Sequence, residues 1–334
     1  MTGRQIGAVA GILLGGVACM KTNRVVAVQM AMEIDGGGDI AGGGFATTDV
    51  AGADAALGWA PFAPPVLVTG LVSDNTTDIH GPSLTGDELE IYVACQRKGE
   101  SNFHIWSSRR TARDAMWNPA AMVNELVGSV DEIDPDVSSD GLTLYFASNR
   151  PPAGPGFRLY VARRTASDPQ WRQITPMQGL GSSTWDRAPS VAPNGLFMVF
   201  TSQRNGSSIH LYSATRSDPL GAWETVEELT SIDANMDEEA AARFNGALSL
   251  VWSSRGPSGG KTSDLLEVSR LDPSAPFTAP PTALDPLNST VWEGDPWVSE
   301  DGTHILFRKE PVGSPGTIYE AWRQLGPPGV TGDR

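Results

Sequence analysis

Asp134-Pro135-Asp136-Val137-Ser138-Ser139-Asp140-Gly141, running on into Leu142-Thr143-Leu144-Tyr145-Phe146-Ala147-Ser148-Asn149-Arg150, is the stretch that decides the fold. It returns as Ala188-Pro189-Ser190-Val191-Ala192-Pro193-Asn194-Gly195 before Leu196 to Arg204, and as Asp295-Pro296-Trp297-Val298-Ser299-Glu300-Asp301-Gly302 before Thr303 to Arg308. A weaker copy has Ala240 in place of the proline but keeps Asn245-Gly246 and then Leu248 to Trp252; another turns at Thr85-Gly86-Asp87-Glu88 before Leu89 to Val93. Asn-Gly and Asp-Gly tolerate positive φ, so a strand, a two-residue type I′ turn and a second strand are expected in each copy. Alternating apolar residues after the turn bury one face of that second strand.

Each copy continues alike. A third strand is expected at His104-Ile105-Trp106-Ser107, Arg158-Leu159-Tyr160-Val161, His210-Leu211-Tyr212-Ser213, Leu265-Leu266-Glu267-Val268 and Thr317-Ile318-Tyr319-Glu320. A fourth opens on an aromatic, Phe62, Trp117, Trp171, Trp223 or Phe277, at intervals of 55, 54, 52 and 54 residues. A regular period of this length means stacked supersecondary units. Four antiparallel strands per unit make an all-β chain, a β-propeller of four-stranded blades. The repeat opens on an outer-type strand near Phe62 and ends on a third-type strand near Tyr319, so the N-terminal strand completes the last blade and removes an open edge. Five blades are expected, or six if Val25 to Met32 joins the sheet. The propeller then covers residues 62–324, with a disordered tail at 325–334.

Before it, Met1 to Arg4 and the apolar run Ile6 to Cys19 read as a signal-type leader, residues 1–19, too short to span a bilayer. Val17-Ala18-Cys19 matches the end of a bacterial lipoprotein signal, making Cys19 the lipidation site. Residues 20–61, rich in Gly, Ala and Asp, read as a flexible tether. Export to the periplasm, or anchoring at the outer membrane by lipid alone, follows. Cys19 and Cys95 are the two cysteines, and Cys95 reads as a buried inert thiol. With net charge −15 the chain has no basic stripe for nucleic acid. A monomer is expected.

Acid-x-x-Pro-x-x-Ser-x-Asp-Gly followed by a strand ending in Ser-x-Arg resembles the WD40-like (PD40-type) repeat of TolB-type propellers. The residues carrying it are Glu132, Pro135, Ser138, Asp140, Gly141, Ser148 and Arg150; then Asp186, Pro189, Asn194, Gly195, Ser202 and Arg204; then Glu293, Pro296, Ser299, Asp301 and Gly302. The resemblance implies a propeller of the bacterial envelope that binds proteins or peptides at one end of its channel.

First strands line the channel of a propeller, so Asp78, Glu132, Asp186, Asp237 and Glu293, with Asp134 and Asp295 nearby, are expected to form an acidic ring. Trp185 and Trp292, each just before a ring acid, are placed at the rim. Clustered carboxylates bind a cation or are neutralised by pairing. Calcium held by Glu132, Asp186 and Glu293 is one expectation, and pairing with Arg97, Arg150, Arg204, Arg255 and Arg308 is the other; no other cofactor is implied. Asp134, Asp136, Ser138 and Asp140 have calcium-loop spacing, but Ser139 stands where such a loop needs Gly and Tyr145 where it needs Glu. Gly256-Pro257-Ser258-Gly259-Gly260 fits a nucleophile elbow in letters only, since it joins strands. Gly260-Lys261-Thr262 lacks the first glycine of a phosphate loop. Two functions remain. One is a non-catalytic binding or scaffold propeller that takes an envelope protein, peptide or glycan at its acidic mouth. The other is a five-bladed glycoside hydrolase whose channel carboxylates, about 5–5.5 or 6.5–9.5 Å apart, act as acid and base.

Overall fold

The computed structural model describes residues 59–71, 76–151, 156–181, 185–206, 208–232, 243–245 (backbone only), 249–255, 262–270, 272, 275–278 and 280–324. The leader with Cys19, residues 20–58 of the tether, Asp237 and the tail at 325–334 lie outside them.

Twenty strands form five four-stranded antiparallel sheets. The N-terminal strand is β1 (Val66–Leu67). Blade I comprises β2 (Thr76–Leu84), β3 (Glu90–Arg97), β4 (His104–Arg109) and β5 (Ala121–Met122). Blade II comprises β6 (Glu132–Val137), β7 (Thr143–Ser148), β8 (Arg158–Thr165) and β9 (Asp168–Pro176). Blade III comprises β10 (Asp186–Val191), β11 (Phe197–Ser202), β12 (His210–Thr215) and β13 (Thr225–Glu228). Blade IV comprises β14 (Arg243–Asn245), β15 (Ser249–Ser254), β16 (Asp264–Ser269) and β17 (Thr282–Ala283). Blade V comprises β18 (Trp292–Val298), β19 (His304–Glu310) and β20 (Thr317–Trp322), and its fourth strand is β1, paired Val66 to Glu320 and Leu67 to Tyr319. The chain is a five-bladed β-propeller closed by its N-terminal strand. The described residues contain no helix.

The sequence dictates the hairpins through a different turn from the type I′ expected. Gly141, Gly195 and Gly302 have φ near 70°, but Asp140, Asn194 and Asp301 are not left-handed. The glycine amide donates three residues back, as Gly141 N to Ser138 O at 2.8 Å, while Ser138 N pairs with Thr143 O. This is a longer loop with its left-handed residue last. Asp140, Asn194 and Asp301 instead cap it, each Oδ1 accepting the amide two residues on. In blade I the left-handed residue is Glu88, with φ 59°. A non-glycine residue is unusual there.

The five aromatic anchors, Phe62, Trp117, Trp171, Trp223 and Phe277, are all at most 5% exposed and fill the spaces between sheets. The second strands are buried on both faces rather than the one expected, because each sheet packs between two others: Tyr92, Ala94, Tyr145, Val251 and Leu306 are buried as well as Ile91, Val93, Leu144, Phe146, Leu250 and Phe307. Cys95 is buried too, and burial pushes its thiol up to about 12. First strands of successive blades are neighbours and exchange bonds: Val137 N donates to Ser83 Oγ at 2.9 Å and Val191 N to Asp136 Oδ2 at 2.8 Å. Four first strands share a kink before proline, where Gly81, Asp134, Ala188 and Asp295 take φ of 62°, 54°, 50° and 49° and the pairing slips by a residue.

Candidate functional site: an acidic cavity on the axis

The described acids at the starts of the first strands are each paired with a cation, and all but the half-buried Asp78 are buried. Glu132 is fully buried; its Oε1 accepts from Arg150 Nη2 at 3.0 Å and its Oε2 meets His104 Nδ1 at 2.7 Å. Burial raises its carboxyl, and His104 and Arg150 only partly offset that. Asp186 accepts from Arg204 Nη2 at 3.2 Å. Glu293 is fully buried, meets Lys309 Nζ at 3.2 Å, and accepts from Ser289 Oγ and, at 3.2 Å, from Ser289 N. Asp78 is gripped across the seam between blades I and V by Arg308 Nη2, at 2.9 and 3.2 Å. Arg150 and Arg204 thus take the acids of their own blades, Arg308 takes that of the next, and Arg97 lies 3.8 Å over the Trp106 ring. Glu132, Asp186 and Glu293 stand in separate blades, and among the described residues no three His, Cys, Asp or Glu side chains are arranged to hold a metal ion. Trp185 and Trp292 are half-buried beneath arginines, Arg187 at 5.3 Å and Arg308 at 5.0 Å. The Trp292 ring folds back over Gly294, where a Cβ would stand 2.1 Å from it and would force the ring to move.

Further along the strands the kinks bring Asp134, Asp295 and His80 together. His80 Nδ1 lies 3.8 Å from Asp134 Oδ1 and 3.8 Å from Asp295 Oδ2. Asp134 is held bidentately by Arg187, at 2.8 and 3.0 Å, and accepts Ala188 N at 3.1 Å. Burial pushes its carboxyl up, but Arg187 overcomes that and holds it below the usual range. Asp295 has no such grip; burial raises its carboxyl beyond what His80 and Arg308 offset. His80 is lowered by burial, which the two aspartates only partly resist. These groups are at most 8% exposed, a plug of paired charge in the hub.

Beyond the plug, at the hairpin-turn end, a cavity of about 260 Å³ opens on the axis. Blades I, II, III and V line it through the ends of their first strands and their turns. Four carboxylates, Glu88, Asp136, Asp140 and Glu300, face this space among serine, asparagine and tyrosine side chains. None of its described lining residues is lysine or arginine. Glu88 is tied to His304 Nδ1 at 3.1 Å, Asp136 accepts Val191 N, and Asp140 accepts Ser138 Oγ at 2.6 Å. Glu300 is exposed and forms no hydrogen bond or ion pair. Glu88 is balanced by His304, Arg110 and Arg113 behind it, so Asp136, Asp140 and Glu300 are the acids that bias the concavity toward cations.

The mouth therefore lies at the opposite end of the first strands from Asp78, Glu132, Asp186 and Glu293, with Asp134 and Asp295 between. Asp140 was legible as a turn residue, but its facing the axial cavity follows only from the sense in which the strands run. A second set of arginines also escaped the sequence reading. Arg110, Arg164, Arg216, Arg270 and Arg323 close the third strands and lie 4.2–4.6 Å over Trp117, Trp171, Trp223, Phe277 and Phe62. Arg164, Arg216 and Arg323 also donate Nε to the turn glycine carbonyl at 2.6, 2.6 and 2.7 Å. Their period of about 54 residues was the available signal.

No protein-family model matches the sequence, and no curated protein matches it. Solved structures match in fold. The α-L-arabinofuranosidase PaAbf62A from Podospora anserina, solved with cellotriose, is 8% identical with a TM-score of 0.50 over 80% of this chain and 98% of that one. A candidate glycoside hydrolase from Parabacteroides distasonis is 13% identical with a TM-score of 0.50, over 80% and 97%. TolB from Acinetobacter baumannii is 17% identical with a TM-score of 0.40; 75% of this chain is covered, but only 51% of that TolB. At these identities the likeness to the arabinofuranosidase and the candidate hydrolase is one of fold alone.

Proposed function

We propose that this protein is a non-catalytic binding propeller of the bacterial cell envelope that takes a basic segment of a protein or peptide into its axial cavity. The observation that carries the reading is the cavity lining, with Glu88, Asp136, Asp140 and Glu300 present and no lysine or arginine among its described residues. An ammonium or guanidinium group entering it meets acidic side chains of which Glu88, Asp136 and Asp140 are already held in place, so little reorganisation opposes binding. Placement in the envelope rests on the leader and Cys19.

Calorimetric titration with a lysine hexapeptide tests this. Binding should weaken steeply with added salt and fall on the order of tenfold in Glu300→Lys, a substitution at an exposed, unpaired side chain. Equal binding of a glutamate hexapeptide, or no response to either, would discard the reading.

One observation favours a second function, glycoside hydrolysis. Asp134 and Asp295 flank one histidine and are shifted in opposite directions, the pattern of a base and an acid. Against it, Arg187 occupies both oxygens of Asp134, and neither aspartate lines the axial cavity. Release of nitrophenol from aryl glycosides, abolished in Asp295→Asn, would establish hydrolysis instead.

A further inference from the structure

The seam where blade V meets blade I carries a second cavity, of about 430 Å³, on the outer part of the wheel. Two features single it out. The repeated arginines bond across the seams: Arg164 Nη2 donates to Glu90 at 2.7 Å, Arg216 Nη2 to Tyr145 Oη at 3.2 Å and Arg323 Nη2 to Glu267 at 2.8 Å. At this seam the equivalent Arg110, only 7% exposed, has no hydrogen bond from Nη2, and its carboxylate neighbour Glu88 stands 3.7 Å away. Trp117, 5% exposed, likewise has an unpartnered Nε1. Both side chains line the seam cavity. Arg110 Nη2 keeps only the long ion pair to Glu88, so this seam is bonded less tightly than the others.

Apolar surface gathers in the same place. Leu67, Met116 and Trp322 line the cavity and are 49%, 75% and 44% exposed. One face of the Trp322 ring is stacked on His304, with centroids 4.7 Å apart and planes 6° off parallel, which leaves the other for a ligand. The charged lining is balanced, with Arg110 and Arg113 against Asp114 and Glu320. An anion would be repelled by the two acids and a cation by the two arginines. A neutral hydroxyl-rich ring suits both, because each hydroxyl donates to a carboxylate and accepts from an N–H. Its apolar C–H face matches the electron-rich face of an indole.

We infer that this seam cavity is a binding site for a neutral saccharide, separate from the axial cavity and independent of what the axial cavity binds. The sugar ring lies on the free face of Trp322, beside Leu67 and Met116, with its hydroxyls shared among Arg113, Asp114 and Glu320.

The test is titration of the full chain with cellotriose, xylotriose and mannotriose, followed by tryptophan fluorescence and calorimetry. At least one trisaccharide should bind. Trp322→Ala and Met116→Arg should each weaken it on the order of tenfold or more, while Glu300→Lys leaves it unchanged. Met116 is mostly exposed, so its substitution answers even if loss of Trp322 disturbs the fold. Binding of none of the three, binding indifferent to both seam substitutions, or preference for glucuronate or glucosamine over the neutral sugars would overturn the assignment.

Discussion

At the scale of the residue, His304 explains why Glu88 tolerates a backbone that its sister positions give to glycine. His304 is 2% exposed, and its ring places Nδ1 3.1 Å from Glu88 Oε2 in blade I and Nε2 3.3 Å from Glu320 Oε2 in blade V. Each nitrogen faces an acceptor, so only the doubly protonated ring satisfies both. Burial opposes that charge, but the two carboxylates outweigh it and raise the pKa. Arg110 and Arg113, 3.7 and 3.6 Å from Glu88, are the other charges packed on that carboxylate. A raised histidine pKa contributes stability that is whole below the unfolded value, roughly pH 6.5, and is lost as pH rises through the folded value. Melting followed between about pH 6 and 10 should therefore show a decline through the alkaline part of that window that His304→Gln flattens. An identical slope in the variant would remove His304 from the account. The histidine was visible in the sequence only as a strand residue, because neither of its partners is local.

At the scale of the element, blades I, II, III and V are each fastened by an arginine, an aromatic ring and a turn carbonyl. Arg216 stacks on Trp223 at 4.2 Å and donates Nε to Gly195 O, so the third strand, the entry to the fourth and the hairpin are joined by one side chain. Trp223 is 3% exposed, and Trp223→Ala should cost about 3–5 kcal/mol in denaturant unfolding, through the cavity it leaves and the stranded guanidinium. A loss below about 1 kcal/mol would mean that the blades are held mainly by their strands. The aromatic period was readable because packing between sheets is a local demand repeated in every unit. The turn type was not. Asp-Gly is compatible with several hairpin loops, and here capping by Asp140 and Asp301 decided for the longer one.

At the scale of the whole molecule, closure depends on a short strand. Besides the β1 pairing, Ala63 N donates to Trp322 O at 2.8 Å and Val68 N to Ile318 O at 2.9 Å. Replacing both donors, Ala63→Pro with Val68→Pro, should lower the melting temperature by several degrees and leave β20 an open edge that pairs with other copies, detectable as oligomers by light scattering. A monomer with unchanged melting would show that the wheel closes by packing alone. The wheel, its five blades and its N-terminal closure were all legible, since they follow from repeat count and strand order. The site was legible only in part. Carboxylates were expected at the hub, and Asp134 and Asp295 are there; yet Glu132, Asp186 and Glu293 turned into the blades toward Arg150, Arg204 and Lys309, which no one-dimensional pattern distinguishes from turning toward the axis.

On the proposed function, the acidic hairpin-turn end of the channel is the face that binds. Hydrogen exchange on the protein saturated with a lysine hexapeptide addresses it directly. The account predicts slower exchange for amides in 138–141, 192–195 and 299–302, with those near Glu132, Asp186 and Glu293 unchanged. Protection confined to the strand-start end, or none at either, would contradict it.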